Sequence, residues 1–510
     1  MSTQTALYTV AEIREIEQAS LAALPEGTLM QRAGKAAAQI ALGLLANASS
    51  GARVLAFAGP GNNGGDAVEA ARLLAEHGLD VTVLLCADTT RLPGDARHVL
   101  ERARNSPLNI VEAATASIET ISECDLAIDG LFGIGLTRPI AGLHRGLVER
   151  INSLPCPVLA LDVPSGLDAD TGAVIGEDGI AVRATHTVTF IANKPGLHTL
   201  YGRDCAGHVH VAGLGVEADR FKPARMHLNT VETFSGFFKR RQHHSHKGTF
   251  GDVIVVGGAP GMAGAPILAA RAAAKCGAGR VYPAFIGEPP AYDSMQPELM
   301  CRAAATLEFS FGALVAGPGM GVSRDAHDVL ARALHCPGPL VIDADALNLI
   351  ATEPGLQSRT SERTSATVIT PHPLEAARLL GSTTQEVQSN RLHAARALAQ
   401  RFQSIVVLKG SGSIIARPDG EIAINTTGNP ALATAGTGDV LAGVCGALLA
   451  QGFPAWNAAL AATWLHGQAA DMLVGQGTGP IGLTASELIP ALRTLLNQLT
   501  EAHAGNHTAH

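Results

Sequence analysis

Two glycine-rich turns in this chain end in a carboxylate. Asn429-Pro430-Ala431-Leu432-Ala433-Thr434-Ala435-Gly436-Thr437-Gly438-Asp439 opens a long apolar helical pattern from Val440, and Gly59-Pro60-Gly61-Asn62-Asn63-Gly64-Gly65-Asp66 follows a short apolar run. Small residues let backbone N–H groups approach a phosphate, a helix start adds the positive end of its dipole, and a carboxylate there can take a proton from a hydroxyl. Two such turns predict two active centres.

At the first, Gly59, Gly61 and Gly64 satisfy a dinucleotide fingerprint ahead of a helix expected to start near Asp66. Asp88 is a passable ribose acid, so a hydride-transfer enzyme is one reading. Asn62, Asn63 and Asp66 equally offer oxygens to a cation or to ribose hydroxyls. Asp129 and Asp162 each end an apolar strand and should converge on one sheet edge, although either alone could simply cap a turn. With Asn63 they form an oxygen-rich set that suits a monovalent or weak divalent cation better than zinc. At the second centre, Lys409-Gly410-Ser411-Gly412-Ser413 reads as a turn that offers a cation and hydroxyls to phosphate without P-loop spacing. His372 is mounted between two prolines and is expected to contact a ligand.

The elements that must position these residues are short β-branched runs alternating with Ala-rich helical patterns, which predicts an α/β fold with parallel sheets. Strands are expected at 54–58, 81–86, 126–129, 158–162 and 188–191, then at 252–256, 314–316, 340–343, 367–370 and 405–408. The alternation lapses over 213–238, so the expected domains are 1–222 and 241–500, joined by a linker over 223–240, with a disordered tail over 501–510. A length of 510 residues suits two or three such units. With 37 basic and 45 acidic side chains, a formal charge of -8 and no long basic run, neither nucleic acid nor membrane is an expected partner. The eight cysteines lack paired spacing and read as separate buried thiols of a cytoplasmic protein.

The N-N-G-G-D turn, Asp129-Gly130-Leu131-Phe132-Gly133-Ile134-Gly135, Asp162-Val163-Pro164-Ser165-Gly166 and Asn193-Lys194-Pro195-Gly196 together resemble the NAD(P)H-hydrate epimerase family over about 9–215. That resemblance implies a Rossmann-like three-layer sandwich. It implies substrate contacts at Asn62, Asn63, Gly64, Gly65, Asp66, Gly133, Ile134, Gly135, Leu136, Thr137, Arg138, Pro139 and Asp162. It also implies potassium at Asn63, Asp129 and Ser165, with Asp162 moving the proton and Lys194 assisting. For Lys194, an ordinary surface lysine before a turn is the competing reading.

From residue 246 to 439 the order H-K-G-x-x-G, G-G-x-x-G-x-x-G-A, D-A-D-A-L-N, T-P-H-P-x-E, K-G-x-x-x and G-T-G-D is similar to the ADP/ATP-dependent NAD(P)H-hydrate dehydratase family, of ribokinase-like α/β fold. The resemblance implies substrate contacts at Ala265, Gly319, His372 and Asp439, and nucleotide contacts at Lys409, Gly410, Ser411, Gly412, Ser413 and Gly438. Asp439 becomes the catalytic base, and Mg²⁺ with ADP is oriented near Glu375. Met262, Leu374 and Ser413 depart from the usual family residues. Together the two resemblances imply a homo-oligomeric metabolite-repair enzyme. It would epimerise hydrated NADH and NADPH and return the S form to NAD(P)H at the expense of ADP, giving AMP and phosphate. The rival readings are a small-molecule kinase of the same fold, which would accumulate a phosphorylated product, and an N-terminal docking module without turnover.

Overall fold

The computed structural model describes residues 5–46, 51–113 and 124–507. It divides into two compact units, Met1–His227 and Leu228–His510.

In the first unit the elements run β1 (Ala6–Leu7), α1 (Val10–Leu21), α2 (Thr28–Leu44), β2 (Arg53–Ala58), α3 (Asn62–Glu76), β3 (Asp80–Leu85), α4 (Gly94–Ala103), β4 (Asn109–Glu112), β5 (Leu126–Gly130), α5 (Gly142–Ser153), β6 (Val158–Leu161), β7 (His186–Phe190), α6 (Gly202–Cys205), β8 (His208–Ala212), α7 (Ala218–Phe221) and β9 (Met226–Asn229). The main sheet has the order β4-β3-β2-β5-β6-β7-β8, parallel throughout. Its central strands are near-continuous apolar runs because both faces are covered. Helices α2, α3 and α4 join one core with Val54, Ala56 and Ile128, while α5 joins another with Phe57 and Ala127. The order reverses between β2 and β5, the switch point where open α/β sheets bind ligands.

Helix α3 starts at Asn62, with Gly61 as its N-cap, four residues before the expected start. The N-N-G-G-D motif is therefore the opening of a helix and not a loop. Glycine is required there by packing: a Cβ on Gly64 would lie 2.0 Å from the Gly59 carbonyl oxygen. The helix can back onto the end of β2 only where a side chain is missing.

The second unit continues with β10 (Asp252–Gly257), α8 (Gly264–Lys275), β11 (Arg280–Phe285), β12 (Arg302–Ala303), β13 (Ala313–Ala316), α9 (Arg324–Leu334), β14 (Leu340–Ile342), α10 (Ala344–Thr352), α11 (Pro354–Ser361), β15 (Thr367–Ile369), α12 (Pro373–Leu380), α13 (Thr384–Ser389), α14 (Arg391–Phe402), β16 (Ile405–Leu408), β17 (Ile414–Ala416), β18 (Ile422–Asn425), α15 (Thr437–Ala450), α16 (Ala455–Gly475) and α17 (Ala485–His507). Its strands follow the order β18-β17-β16-β15-β14-β13-β10-β11-β12. They are parallel from β16 to β12, with β17 and β18 added antiparallel. Helix α15 is buried from Val440 to Leu449, as an all-round apolar helix must be. It packs in one core with side chains of α8, α16 and α17.

Two boundary expectations are corrected. Residues 223–240 are structured: they hold β9 and 3-10 turns at Val231–Thr233 and Ser235–Phe237, and Phe234 and Phe238 enter the core of the second unit. Residues 501–507 continue α17; 508–510 lie outside the described residues. Among the described residues, no helix is long and apolar enough to cross a membrane.

Candidate active sites

The first unit carries a cavity of about 770 Å³ on the carboxyl edge of its sheet, lined by α1, the start of α3, the segment after β5, and Asp162. Asn62, Asn63, Asp66, Asp162 and the run Gly133, Ile134, Gly135, Leu136, Thr137 and Arg138 all face it. Three expected contacts do not. Gly64 and Gly65 turn inward, where a Cβ would strike Gly59 and Met30, respectively, and Pro139 lies against Gly176.

Asp162 sits just past β6 with φ 63°, and Val163 N donates to Leu161 O at 2.8 Å across it. The same arrangement recurs just past β7, where Ile191 has φ 68° and Ala192 N donates to Phe190 O at 2.8 Å. These are γ-turns of the rarer, strained hand. Both residues line the cavity.

Lys194 is no surface lysine: it is fully buried. Its Nζ lies 2.8 Å from Asp162 Oδ1 and donates to Thr189 Oγ1 at 2.7 Å and to the Phe190 carbonyl at 3.1 Å. A buried lysine so held fixes the position of the Asp162 carboxylate. Other acids crowd the cavity. Asp66 is held well above the ordinary carboxylate range by burial first, then by the charges of Asp162, Glu17 and Asp95. Burial, then Asp162, also raises Glu17. Glu17, Arg14 and Asp95 line the cavity, yet no motif in the sequence singled them out.

Behind the cavity, Asp129 is completely buried. Ser165 N and Oγ donate to its two oxygens at 2.8 and 2.6 Å. Burial pushes the carboxyl up to about 6 against these hydrogen bonds. Asn63, in the first turn of α3, is buried, and neither its amide nitrogen nor its amide oxygen has a hydrogen-bond partner. A buried orphan amide and a buried carboxylate with no ion-pair partner among the described residues form a set that a small cation would satisfy.

The second unit collects its polar groups on the carboxyl edge of its sheet. Lys409, at the end of β16, places Nζ 2.6 Å from Asp343 Oδ1 and 3.9 Å from Glu375 Oε2. Burial opposes the lysine charge, but Asp343 and Glu375 outweigh it, and its pKa lies above the usual range. His372 caps α12: its Nδ1 accepts from the N–H groups of Leu374 and Glu375 at 3.1 and 3.2 Å. The ring proton of the neutral form therefore sits on Nε2, 3.2 Å from Glu375 Oε1. Glu375 Oε2 also accepts from His372 N at 2.8 Å, so the carboxylate expected beside Mg²⁺ is spent largely on this cap.

Asp439 lies in the first turn of α15, whose N-cap Gly436 has φ 87°. Burial first, then Asp343, pushes its carboxyl up to about 7, with Lys409 opposing. Gly438 leaves a gap beside these groups, since a Cβ there would sit 3.4 Å from Lys409 Nζ and 3.9 Å from Asp343 Oδ2. Gly319 and Ala265 also meet: a Cβ on Gly319 would lie 3.1 Å from that of Ala265. Asp343, Lys409, Glu375 and Asp439 thus form a half-buried anion-and-proton centre of the kind phosphoryl transfer requires.

The Lys409–Ser413 turn rests on a residue that the sequence did not flag. Arg391, the first residue of α14, is 1% exposed. Its guanidinium donates to the carbonyls of Leu408, Lys409 and Gly412 at 3.3 to 3.4 Å and to Gln388 Oε1 at 2.9 Å. Arg391→Met would leave these carbonyls buried and unpaired. The expected result, read by initial rates against ADP, is a KM raised about tenfold, with partial rescue in Arg391→Lys.

Sequence comparison adds the family. The profile described as NAD(P)H-hydrate dehydratase matches residues 253–493, and that of the YjeF-related protein N-terminus matches 26–196. The bifunctional NAD(P)H-hydrate repair enzyme Nnr of Coxiella burnetii is 38% identical over 97% of this chain and 100% of its own length. The chain belongs to this bifunctional repair family. Its Escherichia coli member is 37% identical over 95% of this chain and 92% of its own. Family membership makes the chain an enzyme with an epimerase half and a dehydratase half. Among solved structures, the ADP/ATP-dependent NAD(P)H-hydrate dehydratase of Bacillus subtilis, co-crystallised with ATP and Mg²⁺, is 29% identical. It covers 53% of this chain and 98% of its own, with a TM-score of 0.47.

Proposed function

We propose that the first unit interconverts the R and S forms of hydrated NADH and NADPH, and that the second consumes the S form with ADP. The observation that carries the reading is a proton-handling carboxylate near a lysine at each of two separate sheet edges: Asp162, 2.8 Å from Lys194, and Asp439, whose charge is favoured by Lys409, itself paired with Asp343.

In the first site, C6 of hydrated nicotinamide is a carbinolamine, which scrambles when its hydroxyl proton is removed, the ring C6–N bond opens to an aldehyde with the proton passed to nitrogen, and the ring recloses on the other face. Asp162 takes and returns that proton, and Lys194 positions the carboxylate. Asn62, Asn63, Asp66 and the Gly133–Arg138 run hold the nucleotide. Potassium fits Asn63, Asp129 and Ser165; it would supply fixed positive charge beside the ligand. The folded carboxyl of Asp129 lies above its unfolded value near ~3.9, so the native state binds the extra proton between about pH 4 and pH 6. The cost of burying the bare carboxylate therefore grows as pH rises through that window and is complete above it, on the order of 3 kcal/mol. A bound cation offsets this cost. Calorimetry in KCl against tetramethylammonium chloride should show the first unit gaining more thermal stability from potassium at pH 8 than at pH 5; an equal gain at both, or none, would rule out Asp129 as a ligand.

In the second site, Asp439 removes the C6 hydroxyl proton as that oxygen attacks the β-phosphoryl of ADP, releasing AMP. The ring nitrogen lone pair then expels phosphate to leave an iminium at C6, and loss of a proton from C5 restores the dihydronicotinamide. Hydroxide leaves poorly, with water's pKa near ~15.7; phosphate leaves well. Amides of Gly436 and Gly438 face the developing charge, Lys409 supplies a fixed positive charge, and His372, Ala265 and Gly319 contact the substrate. With Glu375 committed to the His372 cap, the carboxylates of Asp343 and Asp345 are the ones that would hold a Mg²⁺ brought by the nucleotide, which would neutralise phosphate charge. Supplying mixed hydrates with ADP and following near-UV recovery together with orthophosphate tests the whole reading. Accumulation of a phosphorylated hydrate without orthophosphate would convert the assignment to a kinase.

A further inference from the structure

The sequence reads all eight cysteines as isolated, and the structure corrects this for two of them. Cys124 precedes β5 and Cys156 precedes β6, strands that lie side by side in register Ala127↔Val158. Their sulfurs are 3.4 Å apart, and both side chains are half-buried. Five of the other six thiols are buried and only Cys301 is half-buried. We propose that Cys124 and Cys156 form a dithiol that closes to an intramolecular disulfide by exchange with a small-molecule disulfide such as oxidised glutathione.

The geometry asks for little. A disulfide needs its sulfurs at about 2.05 Å, so closure moves them together by a little over an ångström at the outset of two strands, where no ladder bond need break. With Cys124 as donor, the contact draws the Cys156 thiol down to about 7 and raises Cys124. Either sulfur can be the donor in this contact, so either can be the attacking thiolate. On the route that starts from Cys156, its thiolate attacks one sulfur of the external disulfide, which releases one glutathione thiolate and leaves a mixed disulfide. The Cys124 thiol, losing its proton, then attacks the Cys156 sulfur and expels the second glutathione. Two protein thiols are oxidised and one external disulfide is reduced to two thiols, with no other reactant. The pair lies at the amino ends of β5 and β6, whereas Asp129 and Asp162 lie at their carboxyl ends. Closure therefore staples the sheet and leaves the cavity in place.

The test uses the full-length protein, fully reduced, exposed to excess oxidised glutathione, then alkylated and analysed by intact mass and peptide mapping. The expected product lacks two hydrogens, has lost two of its eight titratable thiols, contains a Cys124–Cys156 cross-linked peptide, and unfolds at higher temperature in its first unit. Cys124→Ser should instead retain a single glutathione on Cys156, because the resolving thiol is missing. The proposal is overturned if the wild-type protein stops at that mixed disulfide, if both cysteines remain alkylatable, or if the cross-link involves another pair. None of these outcomes depends on the assigned activities.

Discussion

Asp439→Asn is expected to lower the rate of ADP-dependent recovery of NAD(P)H from the S-hydrate by on the order of 10²–10⁴-fold, the range for a positioned base. The side chain is isosteric, and Asp439 accepts no cap bond in α15, so the fold and the nucleotide affinity should persist. The pH profile makes the assignment sharper. With the carboxyl pushed up to about 7, the basic form is the minority below that pH, so the wild-type rate should climb toward neutrality and then level. Glu375 is also raised to about 7 by burial, and both carboxyls are lowered in part by the Lys409 charge. The limb should vanish in Asp439→Asn and survive, displaced, in Glu375→Gln. A loss below tenfold in Asp439→Asn, with the limb intact, would move the base elsewhere.

Asp162→Asn is expected to abolish the enzyme's interconversion of R and S hydrates, again by on the order of 10²–10⁴-fold, while leaving ADP-dependent turnover of the S form intact. Recovery from a mixed pool would then halt near the S fraction. The substitution also strands the wholly buried Lys194 charge, and breaking a buried pair typically costs about 3–5 kcal/mol. The first unit should therefore lose thermal stability. Turnover by the second unit, which has its own core, reports whether the chain is intact. Lys194→Met in the same background removes the stranded charge and should restore part of the stability without restoring epimerisation. Recovery running to completion in Asp162→Asn would show that the proton passes through another group, with Asp66, Glu17 and Asp95 the other acids lining the cavity.

The alternating α/β pattern and both glycine-rich turns were legible because their signals are local: apolar runs of strand length followed by residues that only turns and helix starts accept. The helix start at Asn62 was not, since Asn-Asn-Gly-Gly has poor intrinsic propensity and becomes helical only because Gly64 lets α3 back onto β2. Strand β11 was missed because Pro283 argues against a central strand. It is tolerated where β12 pairs with only Ala284 and Phe285. Arg391 looked like any helix residue, and its three carbonyl partners lie 17 to 21 positions away. The Cys124–Cys156 contact spans 32 positions and is created entirely by strand pairing. What local sequence carries is which groups are offered; which of them meet is decided by the sheet.

The γ-turn at Asp162 narrows what can stand there. A positive φ is cheap for glycine, asparagine and aspartate and expensive for nearly everything else. Glutamate, the obvious chemical substitute, would meet resistance from the backbone before its carboxylate was ever tried. Mutational drift at this position is therefore filtered twice, first by conformation and then by chemistry. Asparagine, which passes the first filter and fails the second, is the natural form of a folded chain that has lost one of its two activities.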